Sequence, residues 1–258
     1  AYNYIGSSSW IALATPHPIY DPERRTFNFY HLDPFMIMPT GTMQSAGASY
    51  QWLRNNFCGP EIIEASRMGM NPYDLMNREA AKSSPGSKGL LFLPYLMGER
   101  SPHWNPSARG VFVGLTLNHN RSDIIRAVLE GVSFNLHIIL DAFAHQGIKI
   151  SVVRLIGGGA RSSLWRQILA DILNRPVAKL ELLEEATSLG AAIAGAIGVG
   201  LFKDFKLAQN IVKIAETHYP NREVRDIYDK EYEIFQETYK ALVPVYAKLH
   251  GLVKEDMR

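Results

Sequence analysis

The stretch Val152–Leu173, VVRLIGGGARSSLWRQILADIL, decides the fold that we expect of this chain. A β-branched apolar run enters three glycines beginning at Gly157, and an amphipathic pattern with Leu164, Ile168 and Ile172 spaced four apart leaves them. This order predicts a strand, a tight turn and a helix. Glycines let the turn approach a ligand closely, and the amides at a helix start favour a polar or anionic group. We therefore expect a nucleotide site, with a ligand-free strand-to-helix connection as the alternative.

Composition limits the class of protein. The chain has 258 residues, enough for a core that needs no disulfide or metal, and a net charge of only +2. Its basic residues are scattered, which gives no argument for a nucleic acid or a membrane surface as partner. The single cysteine, Cys58, is expected to be a small buried hydrophobe. No apolar run approaches the roughly 20 residues of a membrane span, and the expected location is cytoplasmic.

The chain opens with a second glycine turn. The segments 2–5 and 10–14 read as strands, and Gly6-Ser7-Ser8-Ser9 joins them in a predicted hairpin whose amides and hydroxyls could wrap a phosphate. An ordinary hairpin turn is the alternative, since Gly-Ser turns are common. A chain that starts in the middle of a sheet leads us to expect a segment upstream of Ala1.

Hydrophobic periodicity and capping residues predict the remaining elements. Helices are expected over 42–57, 72–81, 122–145, 184–196 and 221–249, and strands over 90–94, 109–116 and 176–180, with shorter strands between 19 and 39. Gly59-Pro60 is expected to end the first helix. The alternation of strands and helices predicts an α/β fold with helices on both faces of the sheet.

The loop 98–106 concentrates reactive side chains among turn formers, which favours a functional role. The alternative is that Glu99 and Arg100 are solvated and that Trp104 forms a lid on the core. His103 has no partner at a metal-ligand spacing, so we assign it no metal.

The last helix carries aromatic residues at alternating spacings of four and three. Docking on the core is favoured over a coiled-coil dimer, because the repeat is short and Pro244 is expected to interrupt it. A homodimer stays open.

A dinucleotide-binding fold competes with the nucleotide prediction. The glycines from Gly157 match the start of a G-x-G-x-x-G pattern, and Glu181 follows the next strand where a ribose-binding acid would fall. Ser162 replaces the third glycine, however, and the Gly-Ser hairpin is not required by that fold.

Six ordered motifs together resemble the C-terminal half of the FGGY carbohydrate kinases, and within that family the xylulokinases. The motifs are Gly6-Ser7-Ser8-Ser9-Trp10, the run 93–102, the run 109–115, the run 126–131, Gly157-Gly158-Gly159-Ala160-Arg161-Ser162 and Leu189-Gly190-Ala191-Ala192. The resemblance covers essentially all of residues 1 to 250. The resemblance implies the actin-like ATPase (ribonuclease H-like) architecture, a mixed sheet with helices on both faces, in which two domains close over ATP and a sugar.

The resemblance also implies roles for individual residues. Gly6, Ser7 and Ser8 match the loop that holds the β- and γ-phosphates, although Ser7 replaces the family's usual Thr. Gly98 matches a glycine of the nucleotide cleft. The run Gly158-Gly159-Ala160, with Ser163 one turn on, matches the adenosine motif. The Ala/Gly-rich helix after Thr187 matches the connecting helix at the domain hinge.

The same resemblance leaves part of the machinery outside the chain. The catalytic aspartate, the main sugar-binding residues and the acid near Mg²⁺ belong to segments expected upstream of Ala1, so no catalytic residue and no metal ligand is assigned here. Residues 1–258 would then be the ATP-binding domain of a kinase for D-xylulose, inactive by itself. Gluconate, another pentulose and glycerol are alternative substrates. A nucleotide-sensing module without catalysis and an NAD-binding domain are alternatives from other classes.

Overall fold

The computed structural model describes residues 1–256 and places nine strands in two sheets. The strands are β1 Tyr2–Ile5, β2 Ser9–Ala12, β3 Phe27–Tyr30, β4 Ile37–Met43, β5 Leu91–Leu93, β6 Val111–Val113, β7 Val153–Ile156, β8 Val177–Leu180 and β9 Ile214–His218. The helices are α1 Gly47–Phe57, α2 Gly59–Met68, α3 Pro72–Ala80, α4 Arg121–His145, α5 Ser163–Leu173, α6 Ala186–Gly198, α7 Ala208–Ile211 and α8 Arg225–Asp256. The predicted mixed sheet with helices is confirmed.

The main sheet has the strand order β3-β4-β2-β1-β7-β8-β9. Strand β1 pairs antiparallel with β2 and parallel with β7, and β7 runs parallel to β8. Tyr4 lies opposite Ile156 in this register, so the turns that follow β1 and β7 leave the same edge of the sheet side by side. The topology therefore brings the two predicted glycine turns together.

The two faces of the central strands differ in burial. Asn3, Ile5, Val153 and Leu155 are fully covered on one face, whereas Arg154 on the other face is exposed. Their alternation follows from the two-residue period of a strand. The hydrophobic core lies on the covered face.

Helix α4 forms the centre of that core. Its first turn is closed by a reciprocal cap between Asn120 and Asp123, as expected where an amphipathic run follows an Asn. The helix is long and apolar enough to cross a membrane by length and composition, but 89% of its apolar window is buried inside the domain. The packing therefore explains the apolar run as a core helix.

Several predicted boundaries were wrong. The helix expected over 42–57 begins only at Gly47, because the preceding residues continue β4 between β2 and β3. The first helix ends at Phe57, as expected before Gly59-Pro60. The same Gly59-Pro60 also opens α2, a helix that was not predicted, since a proline in the first helical turn has no hydrogen bond to lose. The strand expected over 109–116 is reduced to β6, which pairs only with β5.

Two further differences concern the C-terminal part. Strand β9 was missed because it is a polar edge strand, paired antiparallel with β8 on one side only. Pro244 does not interrupt α8, which continues to Asp256. Tyr239 before the proline and Tyr246 after it are both buried, and this packing holds the helix together despite the lost hydrogen bond. Docking of the aromatic stripe on the core is confirmed.

Candidate functional site

A cavity of about 330 Å³ lies where the turns after β1 and β7 meet. Gly6 and Ser7 line it from the hairpin turn, and Gly158 and Gly159 line it from the glycine turn. Both turns follow the carboxyl ends of parallel strands, which is where ligands bind in open α/β sheets. The two motifs singled out in the sequence thus line one cavity.

The hairpin turn is held in place by the start of α1. The amide of Gly47 donates to the carbonyl oxygen of Gly6 at 2.9 Å, and the amides of Ala46 and Ala48 both donate to the carbonyl oxygen of Ser7 at 2.9 Å. A side chain at Gly47 would overlap with the carbonyl oxygen of Gly6. The first amides of α1 therefore position the turn, and a glycine is needed where the two backbones touch.

The glycine turn packs against the end of β1. Gly157 has a φ of 85°, a conformation that side chains disfavour, and a Cβ at Gly159 would lie 2.6 Å from Cγ2 of Ile5. A Cβ at Gly158 would meet no atom within 4 Å. Two of the glycines are thus required by the fold, while Gly158 opens space toward the cavity. Ser162 caps α5 by accepting from the amide of Trp165 at 3.1 Å.

An aromatic wall lines the same cavity as the glycine turn. Tyr50 of α1 stacks on Tyr73 of α3 with ring centroids 5.2 Å apart, and its edge meets Trp165 of α5 at 5.8 Å. The Tyr50 hydroxyl donates to Oδ1 of Asn77 at 3.0 Å, and Asn77 lines the cavity. Burial raises the pKa of Tyr50 well above its usual value, so the hydroxyl stays protonated. This wall offers flat apolar surface and an oriented amide.

Charged groups around the cavity are few. Arg161 and Asp74 line it, and Arg161 pairs with Glu184 at 2.7 Å on the exposed side. Among residues 1–256, the structure shows no group of three His, Cys, Asp or Glu side chains that could hold a metal ion.

Four predicted binding residues lie outside the cavity lining. Ser8 closes the hairpin turn, where its carbonyl oxygen accepts from the amide of Gly6 at 2.9 Å. Ala160 is fully buried, and the Ser163 hydroxyl lies 3.1 Å from Nε2 of His218. Gly98, with a φ of 72°, packs against Pro106 in the loop after β5. Binding roles for these residues, and for Gly6, Ser7, Gly158 and Gly159, stay predictions.

The loop 98–106 stabilises the segment that precedes α1. Glu99 is buried, and its Oε1 accepts from the amide of Gln44 at 2.8 Å while Oε2 accepts from Nδ2 of Asn135 at 3.1 Å. Gln44 lies just before the α1 amides that hold the hairpin turn. Burial raises the pKa of Glu99 to about 8, although its hydrogen-bond donors favour the carboxylate. Glu99 is thus a buried side chain that stabilises this segment through hydrogen bonds and is not solvated, whereas Arg100 is exposed as expected.

The two aromatic residues of this loop differ. His103 stacks on Tyr239 at 3.6 Å, and burial lowers the pKa of its imidazole to about 3. It is therefore a neutral packing residue. Trp104 is 47% exposed and donates from Nε1 to the carbonyl oxygen of Arg24 at 2.6 Å, so it lies on the segment that leads into β3 and not on the core.

Sequence reasoning missed the wall of the cavity opposite the glycines. Tyr50, Tyr73 and Asn77 carry no motif, because each sits in an ordinary amphipathic helix. Gly47 did give a signal, since small residues at a helix start indicate close backbone approach. Glu181, the expected ribose acid of a dinucleotide site, lies outside the cavity lining, and its amide donates to the carbonyl oxygen of Lys213 at 3.0 Å.

Residues 1–199 match the C-terminal domain of the FGGY family of carbohydrate kinases. The chain belongs to that family. The sequence is 35% identical over 251 residues to a gluconokinase of Bacillus subtilis, which covers 97% of this chain and 46% of that protein. It is 36% identical over 231 residues to a xylulose kinase of Staphylococcus epidermidis, covering 89% of this chain and 44% of that protein.

A solved structure shows the same fold for an FGGY relative. A ligand-bound xylulose kinase from Lactobacillus acidophilus superposes with a TM-score of 0.84 at 29% identity, over 96% of this chain and 48% of that one. The chain thus spans about half the length of the relatives that it matches.

Proposed function

We propose that this FGGY chain is the ATP-binding half of a kinase that phosphorylates a sugar hydroxyl, with D-xylulose as the substrate and D-xylulose 5-phosphate as the product. The observation that carries the proposal is the shared cavity, which is lined by both the Gly-Ser turn and the glycine turn. The relatives named xylulose kinase support the sugar.

Each side of the cavity suits a different part of ATP. The amide and hydroxyl of Ser7 suit the β- and γ-phosphates, because amides in a backbone turn bind oxyanions. The open surface at Gly158, opposite the ring of Tyr73, suits the adenosine. Mg²⁺ would enter with the phosphates, whose oxygens are its preferred ligands.

Gluconate is the second candidate substrate, because the gluconokinase of Bacillus subtilis aligns with 97% of this chain. The catalytic aspartate and most sugar contacts are proposed to come from a partner half of the kind that makes up the rest of the relatives' length. Phosphoryl transfer depends on positioning and charge stabilisation around the transferred group, so ATP binding and turnover can be separated experimentally.

Calorimetric titration of the chain with ATP·Mg²⁺, and separately with NAD, tests the proposal. We expect ATP to bind and NAD not to bind. Gly158→Leu should weaken ATP binding by about tenfold or more, because the side chain enters the open space that faces the cavity.

Gly59→Leu is the matched control, since Gly59 also has no atom within 4 Å of an added Cβ but begins α2 and lies outside the cavity lining. It should bind ATP like the unmodified chain. Binding of NAD in place of ATP, or equal losses in the two variants, would contradict the assignment.

A further inference from the structure

A second cavity, of about 170 Å³, lies at the opposite edge of the sheet from the ATP cavity. Its polar lining comes from His137 and Asp141 late in α4, from Asn174 and Arg175 after α5, and from Arg225 at the start of α8. These residues precede or flank the amino ends of β7 and β8, whereas the glycine turn follows the carboxyl end of β7. The second cavity is thus separate from the nucleotide site.

Arg225 enters this cavity with one nitrogen unused. Its Nε donates to Oδ2 of Asp229 at 2.6 Å, and its Nη2 pairs with Oδ1 of the same carboxylate at 2.5 Å. This two-point contact fixes the plane of the guanidinium. Nη1 is buried and has no hydrogen-bond partner among the residues that the structure describes. A guanidinium nitrogen can only donate, so the missing partner must be an acceptor.

His137 presents a second unused nitrogen. The residue is 8% exposed, its Nε2 lies 3.4 Å from Oδ1 of Asp141, and its Nδ1 is buried with no partner within residues 1–256. Tyr232 stacks on the imidazole at 4.2 Å and keeps it in this orientation. With Nε2 donating to the Asp141 carboxylate, the unused Nδ1 can accept a hydrogen bond from a hydroxyl of a protonated phosphate.

The two carboxylates at the cavity are already occupied. Besides the contact of Oδ1 with His137, Oδ2 of Asp141 accepts from the Tyr232 hydroxyl at 2.7 Å. The Asp229 carboxylate is used by Arg225. The same contacts with His137 and Tyr232 hold the pKa of Asp141 below its usual value against the effect of burial, so it is ionised and fully used. What the cavity lacks is an acceptor-rich, negatively charged group.

Charge and size define that group further. Arg175 adds a second guanidinium to the lining, and its Nη1 donates to the carbonyl oxygen of Asn174 at 2.7 Å, which holds the side chain at the cavity. The volume is several times the roughly 30 Å³ that one water occupies, so a tetrahedral oxyanion fits with water around it. We infer that this cavity binds a phosphate group between Arg225, Arg175 and His137. The inference does not rest on the proposed kinase activity.

Calorimetric titration of the full 258-residue chain with inorganic phosphate at constant ionic strength tests the inference. We expect one saturable site whose dissociation constant rises by about tenfold or more in Arg225→Met, because a charge-assisted hydrogen bond is lost. Arg175→Met should weaken phosphate in the same direction. It also keeps the test decisive if Arg225→Met does not fold, as judged by circular dichroism.

Arg222→Met is the matched control, since this exposed arginine lies one helical turn before Arg225 and outside the cavity lining. It should bind phosphate like the unmodified chain. Methyl phosphate distinguishes the source of the group: binding as tight as that of inorganic phosphate indicates a phosphate ester, and weaker binding indicates the free anion.

Three results would overturn the inference. They are the absence of saturable binding, equal affinities in the unmodified chain and both cavity variants, and loss of the site in Gly158→Leu with retention in Arg225→Met. The last result would place the phosphate at the nucleotide turn.

Discussion

At the scale of single residues, two neighbouring glycines at the cavity proposed for ATP should respond differently to the same change. In Gly159→Ala the new methyl lies 2.6 Å from Cγ2 of Ile5, which forces a shift in a packed core. We expect the free energy of unfolding to fall by about 1–3 kcal/mol. In Gly158→Ala the methyl meets no atom within 4 Å, and the change should stay within about 0.5 kcal/mol. Urea denaturation measures both, and equal losses would refute the packing argument.

Glu99 should matter for stability although it touches no cavity surface. Glu99→Ala leaves the amide of Gln44 and the Nδ2 of Asn135 without their acceptor, and both lie in the interior behind the site. We expect a loss of about 2–4 kcal/mol in the free energy of unfolding, since each unsatisfied buried donor costs about 1–3 kcal/mol.

Arg100→Ala is the control, because the neighbouring side chain is exposed and only lies over the ring of Trp104 at 5.9 Å. Thermal unfolding should show a loss of only about 0.5 kcal/mol in the free energy of unfolding. A loss in Arg100→Ala as large as that in Glu99→Ala would show that the loop, and not the buried carboxylate, supports the segment before α1.

At the scale of elements, the start of α1 determines the position of the hairpin turn. Gly47→Ala places a methyl against the carbonyl oxygen of Gly6, so the helix and the turn must separate. We expect a lower melting temperature together with weaker ATP binding, because Gly6 lines the cavity. Calorimetric titration after a check of folding measures the second effect. A variant that melts earlier but binds ATP unchanged would contradict the coupling between α1 and the turn.

The packing of α8 on α4 should depend on pH. Glu130 accepts from Arg126 at 2.7 Å and from Tyr228 at 2.7 Å, which leaves Glu231 as a second buried carboxyl group beside a single cation. Burial, and then the Glu130 carboxylate, raise the pKa of Glu231 to about 9. Between the usual value of 4.5 and about 9 the folded chain keeps a proton that the unfolded chain releases. The free energy of unfolding should therefore fall as the pH rises through this window.

Glu231→Gln removes that titration. At about pH 4 the variant and the unmodified chain should have the same free energy of unfolding. At about pH 8 the variant should be more stable by about 1 kcal/mol or more. Urea unfolding at both pH values measures the difference. Glu233→Gln, at an exposed position of the same helix, should keep the dependence of the free energy of unfolding on pH that the unmodified chain shows. The same dependence on pH in all three proteins would show that Glu231 does not titrate in this window.

At the scale of the whole molecule, binding and turnover should separate. The matched relatives are about twice as long, and we propose that their other half supplies the aspartate and the sugar contacts. With ATP·Mg²⁺ and D-xylulose, gluconate or glycerol, we expect no sugar phosphate from residues 1–258 alone and turnover when such a half is joined to them. A coupled assay for ADP measures this. ATP binding without turnover in the joined protein would favour the nucleotide-sensing module.

Local pattern determined much of the fold and one side of the site. The apolar run into Gly157 and the spacing of Leu164, Ile168 and Ile172 predicted β7 and α5, and Gly6-Ser7 predicted the hairpin turn. These features depend on periodicity and on the freedom of glycine, which neighbouring residues decide. The stripe on α8 predicted its docking for the same reason.

Only the tertiary structure decided which residues form the aromatic wall of the cavity and which residues support the hairpin turn. Tyr50 and Asn77 line the same cavity as the glycine turn because α1 and α3 pack on α4. Glu99 reaches Gln44 across 55 positions of sequence. Arg225 and His137, each with a nitrogen that has no hydrogen-bond partner, likewise line one cavity only when α8 packs on α4. Such contacts join side chains that are far apart along the chain, and no local spacing encodes them. The sequence by itself therefore determined where a nucleotide would be expected, and the packing decided which side chains surround it.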